Sequence, residues 1–189
     1  EQDVMNAAQV LKRERIDSVA VSFLHSYVNS EHEEKTGEIL RRLNPSLHIS
    51  LSSEICREFR EYERTSTTVL NAFVLPLVAS YLSRLASRLK ELEVPAKLQI
   101  IQSTGGVMSE TMARRKPVHL IESGPASGVM AAAYLGRTTG HENVISFDMG
   151  GTTTKVALIE QGRPRMTADY EVGGVAHSGH ISKGSGYPI

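Results

Sequence analysis

The sequence has only one cysteine and no net charge, and each of these two properties excludes some classes of protein. The single Cys56 cannot form an internal disulfide or a cysteine-rich zinc site, and its isolation is typical of a reducing cytosol. Lys and Arg together number 21, as do Asp and Glu, so the basic surface of a nucleic-acid-binding protein is missing. Charged or amide residues interrupt each apolar stretch before the ~18 residues that a membrane helix needs. We therefore expect a cytoplasmic protein with no nucleic-acid partner and no membrane partner.

The remaining composition, 40% hydrophobic and 22% charged residues, is that of a globular chain with a core. Apolar spacing predicts helices over residues 3–15, 30–43, 65–92 and 125–135. Short apolar runs predict strands over residues 18–24, 47–51, 98–102, 118–121, 144–148, 154–160 and near 166–172. This order predicts an α/β fold in which a parallel layer leads into an antiparallel sheet.

Two local signals refine the predicted helices. Ser30 and Glu33 have the spacing of a capping box at the start of a helix. Pro76 lies inside the longest helical stretch, where its ring removes a backbone donor and clashes with the preceding turn. We therefore expect that helix to break near Leu75.

The most informative motif is DMGGTTTK, between the apolar runs VISF and VALIE. Its aspartate ends a strand, where a carboxylate needs a cation or hydrogen-bond donors. Its two glycines allow a tight turn whose N–H groups converge on phosphate oxygens, and the threonines add hydroxyl groups. An ordinary hairpin with a Gly-Gly turn is the alternative, but the complete pattern favours phosphate binding. The candidate site residues are Asp148, Gly150, Gly151, Thr152, Thr153 and Lys155.

This hairpin resembles a phosphate loop of the actin-like ATPase superfamily. The small-residue helix PASGVMAAAYLG, just after Glu122, is similar to the helix that connects the lobes of those ATPases. A narrower resemblance rests on five blocks that follow one another between Glu58 and Ile189: EFREYERTSTTVLNAFV, QSTGGVMS, ESGPASGVMAA, SFDMGGTTTK and GSGYPI. Together they are similar to the hydantoinase A and 5-oxoprolinase family, of the ATP-hydrolysing N-methylhydantoinase type.

The resemblance implies a fold: a fragment of a ribonuclease-H-like, actin-like ATPase lobe with the opening β-strands of a second lobe. We expect residues 1–94 to form the rear of the first α/β lobe with the long helix, and 95–143 the remaining strands and connecting helix. Residues 144–189 would form the phosphate-loop hairpin and the start of the second lobe. The chain begins inside a helical pattern, so we expect a piece of a larger protein. The family's first phosphate loop and adenine-binding segment would lie outside it, so we expect the piece alone to be inactive.

The resemblance also implies an activity, the ATP-dependent hydrolysis of a cyclic amide such as a hydantoin or 5-oxoproline ring. ATP and Mg²⁺ are the implied cofactors, with Asp148 catalytic and holding Mg²⁺ through water. The implied nucleotide-binding residues are Gly150, Gly151, Thr152, Thr153 and Lys155. The implied partner is a second subunit or domain of the hydantoinase B type. Lys155 stands where some relatives carry Asp, so its role stays open.

Other functions remain open from the sequence. Related ketone carboxylases share the same ATPase part, so the ring substrate is not settled. A sugar or acyl kinase would use the same loop, and a non-catalytic actin-like scaffold would not hydrolyse ATP at all.

Weaker candidate sites lie elsewhere in the chain. A charged cluster before the long helix is either an ion-pair network or a solvated helix start; it comprises Glu58, Arg60, Glu61, Glu63 and Arg64. Ser103, Thr104, Gly105 and Gly106 end a predicted strand and could contact a ligand, but a plain turn is favoured. His177 and His180 lie in a Gly/Ser-rich stretch, where a loop is favoured over a metal site. Cys56 has no surrounding motif that marks a nucleophile.

Overall fold

The structure is a computed structural model that describes residues 1–165 and the backbone of four later two-residue strands. These strands are β8 (Glu171–Val172), β9 (Ala176–His177), β10 (His180–Ile181) and β11 (Tyr187–Pro188). The chain divides into two compact units. The first contains Glu1–Ala96 and Arg114–Val118, and the second contains Lys97–Ala113 and the stretch that begins at His119.

The first unit is built on two short parallel strands, β1 (Ser18–Val21) and β2 (His48–Leu51). Their parallel pairing confirms the predicted parallel layer. Helices α1 (Gln2–Arg13) and α2 (Glu31–Leu43) cover one face of the pair, and a short helix, α3 (Ser52–Ile55), follows β2. The core on that face consists of Ala8, Val21, Leu40, Leu47 and Leu51.

Helix α4 (Glu61–Glu91) covers the other face of the strands and is continuous for 31 residues. The predicted break at Pro76 is therefore wrong. The carbonyl of Ala72, which a residue at position 76 would normally pair with through its N–H, accepts a 2.6 Å hydrogen bond from the Ser18 hydroxyl instead. Packing against β1 thus replaces the helical bond that proline removes, and the helix continues.

The same helix is long and apolar enough to cross a membrane by length and composition alone. Asn71 is the one charged or amide residue between Arg64 and Arg84, so the expected interruption is present. It does not lower the hydropathy of the helix below that of a membrane span, so this interruption alone does not exclude one. Buried helices of soluble proteins meet the same criterion. In α4, 22% of the apolar stretch is buried. One side of the helix packs in the first unit, through Arg64, Thr67, Thr68, Asn71, Ala72, Leu75 and Leu82. Phe73 and Leu77, by contrast, are exposed.

Glu33 does not form the predicted capping box at the start of α2. Ser30 is the N-cap residue, but its hydroxyl donates to the Glu34 carboxylate at 2.6 Å and makes no cap hydrogen bond. The Glu33 carboxylate is fully buried and accepts hydrogen bonds from the N–H of Phe23 (2.8 Å) and the hydroxyl of Ser52 (2.6 Å). A buried carboxylate with several donors is more stable there than an exposed cap contact would be.

The second unit contains a hairpin of β3 (Gln99–Ile101) and β4 (Val107–Ser109), then helix α6 (Ser123–Thr138) and a three-stranded antiparallel sheet. The sheet order is β5 (Val144–Met149), β6 (Thr154–Glu160) and β7 (Arg163–Pro164). The predicted hairpin is confirmed. The third strand was predicted near 166–172; β7 precedes that range, and residues 166–170 lie outside the described residues.

The segment from Glu110 to Leu120 was partly mispredicted. Helix α5 (Glu110–Arg115) follows β4, and Pro117–Leu120 forms one 3₁₀ turn instead of the predicted strand over 118–121. The N–H of Val118 donates to the side-chain oxygen of Asn71 at 3.1 Å, and the Val118 side chain is fully buried. A side chain of α4 thus satisfies the amide that a neighbouring strand would otherwise pair with.

Candidate functional site

A cleft of about 330 Å³ lies in the second unit, where the β5–β6 turn meets the start of α6. The residues around it come from three short stretches of the chain. They are Leu120, Glu122, Ser123, Gly124, Pro125, Asp148, Gly150, Thr153 and Lys155.

The antiparallel register of β5 and β6 places two charged side chains in this cleft. Asp148 and Lys155 are directly opposed across the hairpin. Opposed residues of an antiparallel pair project from the same face of the sheet. On the same face, farther from the turn, Ala157 and Ile159 turn inward, and Ile159, at the far end of the β5–β6 pairing, is fully buried. Asp148 itself is exposed, so its carboxylate remains solvated and available.

The hairpin turn brings some of the predicted nucleotide-binding residues to the cleft and leaves others outside its lining. Gly150 and Thr153 line the cleft, whereas Gly151 and Thr152 form the tip of the turn and do not. The N–H of Gly150 donates to the carbonyl of Thr153 at 2.9 Å. That amide closes the turn, so its predicted use as a phosphate donor is not supported by this geometry.

Glu122 is the charged group that sequence reasoning missed. It precedes α6 with a left-handed backbone (φ +67°), and its carboxylate forms an ion pair with the Lys155 ammonium group. The block ESGPASGVMAA contained the signal, because an acidic residue stands directly before the small-residue helix. The missing information was spatial, since only the fold brings residue 122 to residue 155.

The start of α6 adds a favourable electrostatic environment for an anion. The first turn of α6 contains no acidic residue. Its first backbone donors are the N–H groups of Ser123 and Gly124, because Pro125 has no N–H and the N–H of Ala126 donates to the carbonyl of Glu122. These donors carry the positive end of the helix dipole. Helix N-termini of this kind bind phosphate groups. The cleft therefore combines an anion-binding helix end with two carboxylates and one ammonium group.

These groups fit Mg²⁺ held jointly with a phosphate. Within the part of the chain that the structure describes, no group of three or more His, Cys, Asp or Glu side chains could hold a metal ion alone. Mg²⁺ is commonly bound through one or two carboxylates together with substrate phosphates and water. Asp148 and Glu122 supply that number of carboxylates in one cleft.

The comparisons with known proteins identify the family. A sequence model described as hydantoinase/oxoprolinase matches residues 64–183, and one described as the hydantoinase/oxoprolinase N-terminal region matches residues 1–44. The first match contains every residue that lines the cleft. The chain belongs to the hydantoinase/oxoprolinase family.

Members of this family resemble the chain along most of its length. An uncharacterized protein of Methanocaldococcus jannaschii is 43% identical over 189 residues, which is 100% of this chain and 28% of that protein. The caprolactamase alpha subunit of Pseudomonas jessenii is 33% identical over 86% of this chain and 23% of its own length. A nucleotide-free structure of acetone carboxylase, from work on ATP-dependent acetone carboxylation, superposes with a TM-score of 0.76 at 26% identity; it covers 100% of this chain and 26% of that one.

The chain thus spans 28% or less of the relatives described above. The α/β fold is shared with this acetone carboxylase structure. The predicted membership of this family, with its hydantoinase and oxoprolinase members, is confirmed.

Two of the weaker candidate sites, the charged cluster and Cys56, have features of structural positions. Arg64 of the charged cluster is fully buried, so the prediction of a solvated helix start is wrong for it; its guanidinium donates to the carbonyls of Phe23 (2.6 Å) and Glu58 (3.1 Å). Burial raises the pKa of the Cys56 thiol, and the nearby Glu58 charge adds to the rise, which opposes a nucleophilic role.

Two weaker candidates remain, the segment from Ser103 to Gly106 and the histidine pair. The segment between β3 and β4 is a turn, as predicted, with Gly105 at φ +80°. His177 and His180 lie outside the residues whose side chains the structure describes.

Proposed function

We propose that this chain is part of an ATP-dependent cyclic-amide hydrolase of the N-methylhydantoinase or 5-oxoprolinase type, and that its cleft binds phosphates of ATP. The observation that carries the proposal is the placement of Asp148, Glu122 and Lys155 around the N-terminal end of α6. Charges of both signs at a helix N-terminus suit a metal-bound phosphate group.

In this proposal the phosphate oxygens are bound by backbone donors of two elements. From the hairpin, Thr153 lines the cleft, and the N–H groups of Gly151 and Thr152 at the tip of the turn, just outside that lining, would turn towards a bound phosphate. The start of α6 faces the phosphate from the other side. The Thr152 and Thr153 hydroxyls add donors that rotate to suit the ligand. Gly150 shapes the turn and is no longer counted among the donors, because its N–H is bonded to Thr153.

Asp148 and Glu122 would hold Mg²⁺, Asp148 through a water molecule. When bound, the ion neutralises phosphate charge in the transition state. Asp148 is exposed at the end of β5 and can also orient the attacking oxygen. Lys155, opposite Asp148, balances part of the negative charge that the two carboxylates bring to the cleft.

The proposed reaction activates the ring by phosphorylation. The γ-phosphoryl group passes from ATP to the amide oxygen of the substrate, and ADP leaves. One water molecule then adds to the activated carbon, and the ring C–N bond breaks as the nitrogen takes a proton. A second water molecule hydrolyses the resulting acyl phosphate and releases inorganic phosphate. The name of the caprolactamase relative supports a cyclic amide as the substrate class. That relative is an alpha subunit, which supports a second subunit or domain of the hydantoinase B type as the partner.

The proposal extends to architecture and location. The parallel strands and long helix of the first unit would belong to a ribonuclease-H-like, actin-like ATPase lobe, and the β5–β6 hairpin would open the second lobe. The division into residues 1–94, 95–143 and 144–189 stays a prediction. Cys56 as the single thiol supports a cytoplasmic protein.

The test uses the whole protein with its partner subunit. Hydantoin, 5-oxoproline and caprolactam are each supplied with ATP and Mg²⁺, and ring-opened product and phosphate are measured together. We expect product and phosphate to appear in equal amounts with at least one ring. Phosphate release without a ring-opened product would overturn the hydrolase assignment.

Ketone carboxylation is the second candidate function, because one solved structure that resembles this chain is an acetone carboxylase. The same preparation is supplied with acetone, bicarbonate and ATP. Carboxylated product without ring opening would favour that candidate. A phosphorylated substrate that accumulates would indicate a kinase, and absence of any ATP turnover would indicate a scaffold.

A further inference from the structure

We propose that Lys155 is a resident cation of the cleft, which holds the Glu122 carboxylate until a divalent cation displaces it. This inference rests on the proposed function, since it concerns the metal that the cleft would take. It assigns Lys155 a positioning role, which its place in the motif left open.

The geometry gives the ammonium group a defined position. Lys155 is fixed on β6 by its pairing with Asp148, and its ammonium group reaches across to Glu122 at the start of α6. The side chains of Lys155 and Glu122 are only 33% and 35% exposed. A partly buried ion pair is screened less by salt than a pair in open solvent.

Competition follows from the small number of acidic groups. The cleft contains two carboxylates, Asp148 and Glu122, and Lys155 already neutralises the second. A divalent cation bound to Glu122 would lie beside the ammonium group, and like charges at that distance repel. Metal binding therefore requires Lys155 to release Glu122, and the released ammonium group remains in the cleft that binds phosphate.

The test measures metal binding without nucleotide, using Mn²⁺ as the probe and electron paramagnetic resonance of the whole protein. Lys155→Met removes the ammonium group and keeps the side-chain length. We expect this variant to bind Mn²⁺ roughly three- to fivefold more tightly, because that change in affinity corresponds to the free energy of a partly exposed ion pair. The Glu122→Gln variant should lose the same Mn²⁺ site, which assigns the signal to the cleft.

Two further variants serve as controls. Lys155→Arg keeps a cation and should bind Mn²⁺ as the unmodified protein does. Lys35→Met removes the partner of Glu38 in an exposed pair on α2, at 3.5 Å, and should leave Mn²⁺ binding unchanged. Circular dichroism verifies folding, and Lys155→Gln replaces the Met variant if that variant does not fold.

Equal or weaker Mn²⁺ binding in Lys155→Met would overturn the inference, as would the absence of a Glu122-dependent site. ATP binding to the whole protein, measured separately by calorimetry, tests the proposed function. Nucleotide binding with unchanged Mn²⁺ affinity would refute only the role of Lys155. Tighter Mn²⁺ binding without any nucleotide binding would refute only the ATPase assignment.

Discussion

The hydroxyl of Ser18 donates a 2.6 Å hydrogen bond to the carbonyl of Ala72, the group that Pro76 leaves without its helical partner. The two residues are 54 positions apart in the chain. The bond joins β1 to the middle of α4 and allows a proline inside a helix of 31 residues. A side chain of β1 thus donates the hydrogen bond that a backbone N–H of the helix normally donates.

The first prediction tests whether the Ser18 hydroxyl replaces the backbone donor that is missing at Pro76. Ser18→Ala should lower the free energy of unfolding by about 1–3 kcal/mol, because the Ala72 carbonyl would be buried without a donor. Pro76→Ala restores a backbone N–H at position 76, so the Ser18 change should cost much less in that background. Urea denaturation of the single and double variants measures the coupling. Equal costs in both backgrounds would show that the Ser18 bond does not compensate for proline.

Periodicity predicted the elements well, and the errors have one physical source. Helices α1, α2, α4 and α6 and the parallel and antiparallel strand pairs follow from apolar spacing, which is a local property. Pro76, Glu33 and Val118 were misjudged because each has a partner brought close by the fold. The same limit applies to the cleft. Asp148 and Lys155 belong to one hairpin and were predicted, whereas Glu122 joins them only through the path of the chain into α6.

The second prediction concerns the pH dependence that Glu33 confers. Burial alone would raise the pKa of Glu33, but hydrogen bonds from Ser52, Ser53 and Phe23 outweigh burial and lower the pKa below 4.5. A group with a lowered folded-state pKa stabilises the protein above its unfolded pKa, and this contribution is lost as pH falls through the folded value. We therefore expect Glu33→Gln to cost about 2–3 kcal/mol at neutral pH.

The check on Glu33 is a comparison of urea unfolding at several pH values. The difference in stability between the unmodified protein and Glu33→Gln should shrink as pH falls below about 4.5. Glu34→Gln is the matched control on the same helix, because the Glu34 carboxylate accepts an exposed hydrogen bond from the Ser30 hydroxyl. A pH-independent difference would mean that the charge of Glu33 contributes nothing.

The third prediction uses two glycines of α6 that differ only in their surroundings. A Cβ at Gly136 would lie 2.6 Å from the His141 carbonyl oxygen and 2.9 Å from a methyl group of Val144, so Gly136→Ala should destabilise the protein by about 1–3 kcal/mol. A Cβ at Gly128 meets nothing within 4 Å, and Gly128→Ala should stabilise by up to about 1 kcal/mol through helix propensity. Thermal unfolding of both variants tests the pair, and equal effects would contradict the close approach at Gly136.

The last prediction concerns Asp148 in the whole protein. Asp148→Asn keeps nearly the same shape, and the exposed position of Asp148 means that the hairpin should stay folded. The change removes the charge that the proposed metal requires, and one such electrostatic contact is typically worth ~3–4 kcal/mol in the transition state. ATP-coupled turnover should therefore fall roughly a hundredfold or more, with little change in melting temperature. Glu160→Gln, at the far end of β6 and outside the cleft, is the control and should keep normal turnover. If the hairpin has only a structural role, we expect the reverse for Asp148→Asn: turnover stays near normal, and any effect appears in stability. Near-normal turnover would remove Asp148 from the catalytic residues.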